Sequence, residues 1–329
     1  MERYEGERYF ATKDDVSDVI AKYGIAIIPS ILDNNEIKEM IDGMWDYLET
    51  VTSKFDTPIS RSNSATWREF RHLLPLHSMM LQWWKVGHAQ FIWNLRQNRK
   101  IAEIFCRIYE DHSGEDLTPE DLLVSFDGAS FHLPPEKSNG LGWETFRGCL
   151  HCDQTFTKND FRCVQSWITG PEVRKGDATI TFFEKSHHLH KELAERFEIT
   201  CTKDWYKLEK ENDFLVEKCG EPKFIMCPPG SLVLWDSRLA HCGSRAIKDR
   251  QSENIRCIAY ISYKERSKIT SANLKKKQKA FNEMRMTTHD ACKVKLFPVH
   301  PRLYDNPLPD IADIPKPILS SLGKKLAGF

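Results

Sequence analysis

No stretch of this sequence approaches the ~18 consecutive apolar residues of a membrane-spanning helix. The opening "MERYEGERYFATKDD" is charged throughout and lacks the apolar core of a secretion signal. A soluble, cytoplasmic protein is therefore expected. There is no surplus of charge either: Lys plus Arg and Asp plus Glu number 47 each, for a formal net charge of zero. Nucleic-acid binding through phosphate contacts needs an excess of cations, so the balance argues against it while leaving room for a local basic patch. Internal repeats and a clear linker are also missing, which favours one domain over the whole chain. The ten cysteines are scattered, and a chain of 329 residues that is 40% apolar needs no disulfide scaffold to hold a core.

Residues 1–120 read as a mostly helical support. Thr12 and Asp15 resemble a capping box ahead of "DDVSDVIAKYG", and Gly24 stops that helix. "IAIIPSIL" is a short buried-strand candidate. Asp33 or Asn34 can cap the next helix, in which Ile37, Met40, Ile41, Met44 and Trp45 fall at helical spacing. More helix is predicted between about 78 and 110, its aromatic stripe reading as core.

From residue 121 to 263 the texture changes to short β-rich runs separated by turn chemistry: "LLVSF", "GCLHCDQTF", "RCVQSWIT", "ATITFF", "KFIMC", "SLVLWD" and "RCIAYISY". Many short strands without helices in register predict an antiparallel sandwich or barrel with helical decoration. The charged segment 190–222 interrupts this and reads as an insertion at the rim. Residues 264–329 start as a basic helix, "NLKKKQK", expected to present a solvated face, and end as Pro-rich extended chain.

The densest group of metal-ligand side chains is in "GCLHCDQTF": Cys149, His151, Cys152 and Asp153. Alternation along a strand points His151 and Asp153 the same way and Cys152 the other way. Cys149 and Cys152 therefore cannot chelate one ion from a regular strand. No second Cys-x-x-Cys exists to complete a zinc site, and no helix begins at the first cysteine as a redox pair requires. His-x-Asp instead supplies two corners of a facial iron site, which takes two histidines and one carboxylate and leaves positions open for oxygen and a cosubstrate. His241, following the Pro-Pro-Gly turn and the strand "SLVLW", is the candidate third ligand. A dicarboxylate cosubstrate such as 2-oxoglutarate also needs an arginine for its far carboxylate. Arg256 opens the strand "RCIAYISY" and is preferred, with Arg250 next; Arg245 and Arg250 sit in a charged loop.

His151-x-Asp153, "CPPGSLVLWDSRLAH" ending at His241, Arg256 at a strand start, and the intervening "VQSWITGPEVRKGDATITFFEKSHHLH" together resemble the phytanoyl-CoA dioxygenase-like branch of the iron(II)/2-oxoglutarate oxygenases. The resemblance spans roughly 120–263, with "EKSHH" standing where that branch often has a "PGSH" turn. It implies a double-stranded β-helix, a cupin-like jelly roll, with N-terminal helices packed on the sheet. It implies Fe(II) on His151, Asp153 and His241, and 2-oxoglutarate on Arg256. The reaction implied is hydroxylation of a C–H bond with release of succinate and CO2. A small-molecule substrate is expected, and no feature demands an acyl-CoA. A binding protein that kept the fold without turnover, and a hydroxylase of protein or nucleobase, are the competing classes. A halogenase is disfavoured because Asp153 fills the corner a halide would take.

Gln165 alternates with Val164 and Ser166 and is a candidate to face inward onto the cosubstrate; Gln154 is a second. His187, His188 and His190 are read as structural. Arg238 reads as a structural ion pair or a substrate contact. Phe131, Trp143 and Trp167 read as core, and Cys152 and Cys242 as small buried fillers.

Overall fold

The computed structural model describes residues 4, 6–74, 80–140, 150–301 and 307–329. Cys149 and Trp143 lie outside the described residues. Helix α1 (Val16–Tyr23) ends on Gly24, whose φ of 83° puts it in the left-handed region. A Cβ on Gly24 would also meet His187 Nδ1 and Leu239 Cδ1 at 2.6 Å, so both conformation and crowding call for glycine. The expected start of this helix is different. Asp15 accepts hydrogen bonds from the Thr12 N–H and hydroxyl, closing a loop ahead of the helix, and Asp15 makes no cap of its own. Helix α2 (Asn34–Val51) is capped by Asp33, one of the two expected caps, in a capping box with Glu36.

The aromatic stretch read as helix divides into a 3₁₀ turn (Val86–His88), α3 (Gln90–Arg96) and α4 (Arg99–Ser113). The break is a capping event: the Asn98 side chain accepts the Lys100 N–H at 3.0 Å and starts α4 anew.

The strands along the chain are β1 (Ile25–Ile28), β2 (Leu122–Val124), β3 (Ala129–His132), β4 (His151–Cys152), β5 (Val164–Thr169), β6 (Thr179–Phe182), β7 (Tyr206–Lys207), β8 (Lys223–Phe224), β9 (Leu232–Asp236), β10 (His241–Ser244), β11 (Arg256–Tyr260) and β12 (Tyr263–Glu265). Two five-stranded sheets form, ordered β1-β9-β5-β11-β3 and β7-β4-β10-β6-β8, with β12 and β2 as a separate pair. Every pairing among these strands is antiparallel.

Period-two alternation explains how the first sheet is packed. Ile25, Ile27, Trp167, Val233, Trp235 and Ile258 turn inward and meet Ile180 and Phe182 of the second sheet in one apolar cluster. Their neighbours Ala26, Ile28, Ile168, Leu232, Leu234 and Cys257 turn outward into a larger cluster with Met40, Met44, Phe105 and Ile108 of the helices. The architecture is thus two β-sheets face to face, with α2 and α4 on the outer face of the first.

The 190–222 segment is more than rim decoration. It folds as α5 (His190–Arg196), β7 and α6 (Asn212–Cys219), and its Leu193, Phe214 and Leu215 share an apolar cluster with Cys152 and Phe156. Strand β3 was not expected from the sequence. Downstream, α7 (Ser271–Asn282) and α8 (Ser321–Ala327) are helical, and α8 packs on β2. The basic run of α7 corrects the solvated reading at one position. Lys275, Lys276 and Lys279 are exposed, but Lys277 is buried, its Nζ donating to the Val124 carbonyl and lying 4.2 Å from the Phe126 ring centroid. Among the described residues no helix is long and apolar enough to cross a membrane.

Candidate metal centre

Register brings the two histidines together. In the antiparallel pair of β10 and β4, His241 stands directly opposite His151, and their ring centroids are 4.4 Å apart. Asp153 follows β4, held by its N–H donating to the Ser237 carbonyl at 3.0 Å. Its Oδ2 lies 3.6 Å from His151 Nε2 and 3.4 Å from His241 Nε2. Among the described residues, His151, Asp153 and His241 form the group able to hold a metal ion, with one ligand atom from each within 4.8 Å of the others. Among the described residues, no such group includes His187, His188 or His190.

The surroundings fix these side chains. His241 Nδ1 donates to the Leu239 carbonyl at 2.9 Å, which leaves Nε2 with its lone pair facing Asp153. Gln165 reaches across from β5 and donates from Nε2 to Asp153 Oδ2 at 2.9 Å. Gln165 is thus inward-facing as alternation predicts, and its partner is the carboxylate. Burial, together with the charge of His151, lowers the pKa of His241 against the pull of Asp153. Burial alone would raise the Asp153 carboxyl, but His151, by charge and hydrogen bond, and then His241 hold it well below the usual carboxylate range. Both directions favour the deprotonated form, as a metal ligand requires.

The two arginines have different surroundings. Arg250 is saturated with acid: its Nε and Nη2 meet Glu136 at 2.7 and 2.9 Å, and its Nη1 meets Asp177 at 2.8 Å. Arg256 is buried, donating from Nε to Ser130 Oγ at 2.9 Å and from Nη1 to the Ala178 carbonyl at 2.7 Å, with Tyr260 as a further hydrogen-bond partner. No carboxylate among the described residues is hydrogen-bonded to it. Burial lowers its pKa, the direction expected of a cation short of counter-charge. Its guanidinium lies 5.9 Å from the ring centroid of Trp167. Trp167 and Gln165 are two apart on the inward face of β5, so the same strand face contacts both Arg256 and Asp153.

The remaining candidates are engaged elsewhere. Gln154 donates to the Lys158 and Asp160 carbonyls and accepts from Ser237. Arg238 pairs with Asp236. His187 bonds the Ala21 carbonyl, and His190 stacks on Phe156 with centroids 4.2 Å apart. Phe131 is core, and Cys152 is buried facing the insertion. Sequence reasoning missed Trp205, whose ring centroid is 5.8 Å from that of His151. Trp205 had no signal beyond being an aromatic in a charged segment.

The sequence matches no family profile. It is 23% identical over 285 residues to Ava biosynthesis cluster protein O of Aspergillus versicolor, covering 84% of this chain and 85% of that protein. Among solved structures, a protein of Salmonella typhimurium LT2 described as a candidate oxidoreductase superposes with a TM-score of 0.56 at 13% identity, over 96% of this chain and 82% of the other. EctD from S. alaskensis, crystallised with 2-oxoglutarate and 5-hydroxyectoine, gives a TM-score of 0.47 at 11% identity, over 76% of this chain and 75% of that one.

Proposed function

We propose that this chain is an Fe(II)- and 2-oxoglutarate-dependent oxygenase of the phytanoyl-CoA dioxygenase-like branch. In this reading the two sheets are the halves of a double-stranded β-helix, and the reaction hydroxylates a small molecule. One observation carries the reading. A His-Asp-His cluster and a buried arginine, to which no carboxylate among the described residues is hydrogen-bonded, are both approached from the inward face of β5, the first by Gln165 and the second by Trp167. A dicarboxylate cosubstrate needs such a pair, a metal for one end and a guanidinium for the other.

His151, Asp153 and His241 would hold the iron, and Arg256 the far carboxylate. Iron with 2-oxoglutarate and O2 supplies oxidation of a C–H bond to C–OH, with 2-oxoglutarate leaving as succinate and CO2. The protein's own part is orientation. Leu239 fixes the tautomer of His241, Gln165 steadies the Asp153 carboxylate, and Ser130 and Tyr260 aim Arg256. Burial of Trp167 and Ile258 keeps the space between the sheets apolar around these groups.

The test is succinate release by the purified chain with Fe(II), ascorbate and 2-oxoglutarate. Release that depends on added iron and disappears in His151→Ala supports the proposal. No succinate above background, with no Mn(II) binding, overturns it in favour of a binding protein on the same fold.

A further inference from the structure

The two ligand histidines belong to one row of side chains that runs from the core to solvent. Residues directly opposite each other in antiparallel pairs place their side chains on the same face of the sheet. In the second sheet such a row runs Phe182, His241, His151, Lys207, across β6, β10, β4 and β7. Phe182 lies in the apolar cluster between the sheets, so the row is on the inward face. Exposure rises along it. Phe182 is fully buried, and the side chains of His241, His151 and Lys207 are 6, 17 and 42% exposed. The imidazoles are therefore open to a reactant from the β7 end, past Lys207.

Strand β7 is fixed at that opening. The Leu208 N–H donates to the Leu150 carbonyl at 2.8 Å, and the Thr155 hydroxyl donates to the Cys201 carbonyl at 2.9 Å. Asp204 is tied to Lys293 at 2.5 Å. Alternation then sorts the residues of the strand. Tyr206, opposite Cys152, turns to the far side, where its ring meets Phe156 with centroids 5.2 Å apart. Its neighbours Trp205 and Lys207 turn the other way, to His151.

These two side chains offer complementary contacts. The Trp205 ring centroid lies 5.8 Å from that of His151, while the residue stays 49% exposed. An indole left half in water beside a metal ligand forgoes apolar burial that a flat ligand would restore. Lys207 stands directly opposite His151, and directly opposed side chains are nearest neighbours across a sheet. Its ammonium pairs with Glu209, whose side chain is 69% exposed. An ion pair so open to water is weak, so an incoming anion can take the ammonium from Glu209 at little cost.

We propose, resting on the oxygenase reading, that the substrate is an organic anion with a flat apolar body, its charged group held by Lys207 and its ring laid against Trp205. The experiment uses the full chain loaded with Mn(II) and saturated with 2-oxoglutarate, without oxygen. Three probes share one body and differ in head group: 3-phenylpropionate, 2-phenylethanol and phenethylamine. Binding is read by calorimetry. The acid should bind at least about tenfold more tightly than the alcohol, with the amine weakest. Lys207→Met should remove that preference while leaving Mn(II) and 2-oxoglutarate affinity in place. Glu209→Gln, which frees the ammonium, should tighten the acid by up to about fivefold. Trp205→Ala should weaken the acid and the alcohol alike. Equal or absent binding of acid and alcohol overturns the proposal, and so does a preference for the acid that survives Lys207→Met. A Lys207→Met protein that loses 2-oxoglutarate also overturns it, since the ammonium then belongs to the cosubstrate. Failure of the wild-type chain to take up Mn(II) would instead sink the oxygenase reading.

Discussion

Strands β5, β9 and β11 are buried along nearly their whole length and pack on both faces, whereas β7 is half-exposed to exposed and β8 is exposed, each of two residues. The first sheet has the second sheet inside and helices outside; the second carries His151 and His241 on β4 and β10. The difference teaches that the candidate ligands stand on the less buried sheet, and that Gln165 of the more buried one reaches across to steady them. Stability and chemistry are drawn from different layers, so substitutions should separate them.

The sharpest separation comes from Asp153→Ala. It should abolish Mn(II) binding and cut succinate formation at least about 100-fold, with the urea midpoint nearly unmoved. A mutant that keeps full turnover would break the assignment of chemistry to this sheet. On the other layer, Leu234→Ala in β9 removes a fully buried outward-facing side chain and should lower stability by about 3–5 kcal/mol in urea unfolding. Phe224→Ala in β8, half-exposed, should stay within about 0.5 kcal/mol. Equal losses at the two positions would erase the contrast.

Arg256 belongs to the thick sheet yet faces the interior. Arg256→Ala should raise the 2-oxoglutarate concentration for half-maximal turnover by about 10- to 100-fold. Arg250→Ala, which breaks pairs to Glu136 and Asp177, should leave that concentration within about threefold. The reverse result would move the anchor into the loop.

The last test is a pH slope in the helical layer. Burial lowers Lys277 to about 7, against roughly 10.4 in an unfolded chain. Between those values the unfolded chain holds a proton that the folded one has released, so Lys277 makes stability rise with pH, by at most about 1.4 kcal/mol per pH unit. Lys277→Met should therefore be most stabilising near pH 7, its advantage shrinking towards pH 10 in denaturant titrations. A constant difference would show that the lysine does not change charge on folding.

The legible parts of this fold were those with local chemistry. Strands β5, β9 and β11 follow from β-branched runs bounded by turn residues, and Asp33 with Glu36 follows from capping. The pairing of His151 with Asp153, and the separation of Cys152, follow from alternation. What could not be read depended on tertiary context. Strand β3 is a four-residue run between Gly128 and Pro134, too short to stand out from its loop. Lys277 sits in a basic run, and only the packing of α7 against Val124 and Phe126 turns it inward. Trp205 gains meaning from the His151 ring it faces, which no spacing in the chain encodes. The choice between Arg256 and Arg250 likewise needed their partners: Glu136 lies far away in sequence from the arginine it neutralises.

The register that sets His241 opposite His151 has a further consequence for the unfolded chain. That pairing spans the segment between those two residues, which includes α5, β7 and α6. A cation bound there would act as a cross-link. It would remove loop-closure entropy from the denatured ensemble and, by binding only the native register, would add stability in proportion to the logarithm of its concentration. The less buried of the two sheets is the one such a tie would reinforce. Thermal unfolding monitored with and without Mn(II) would then report on the pairing of β4 with β10 itself.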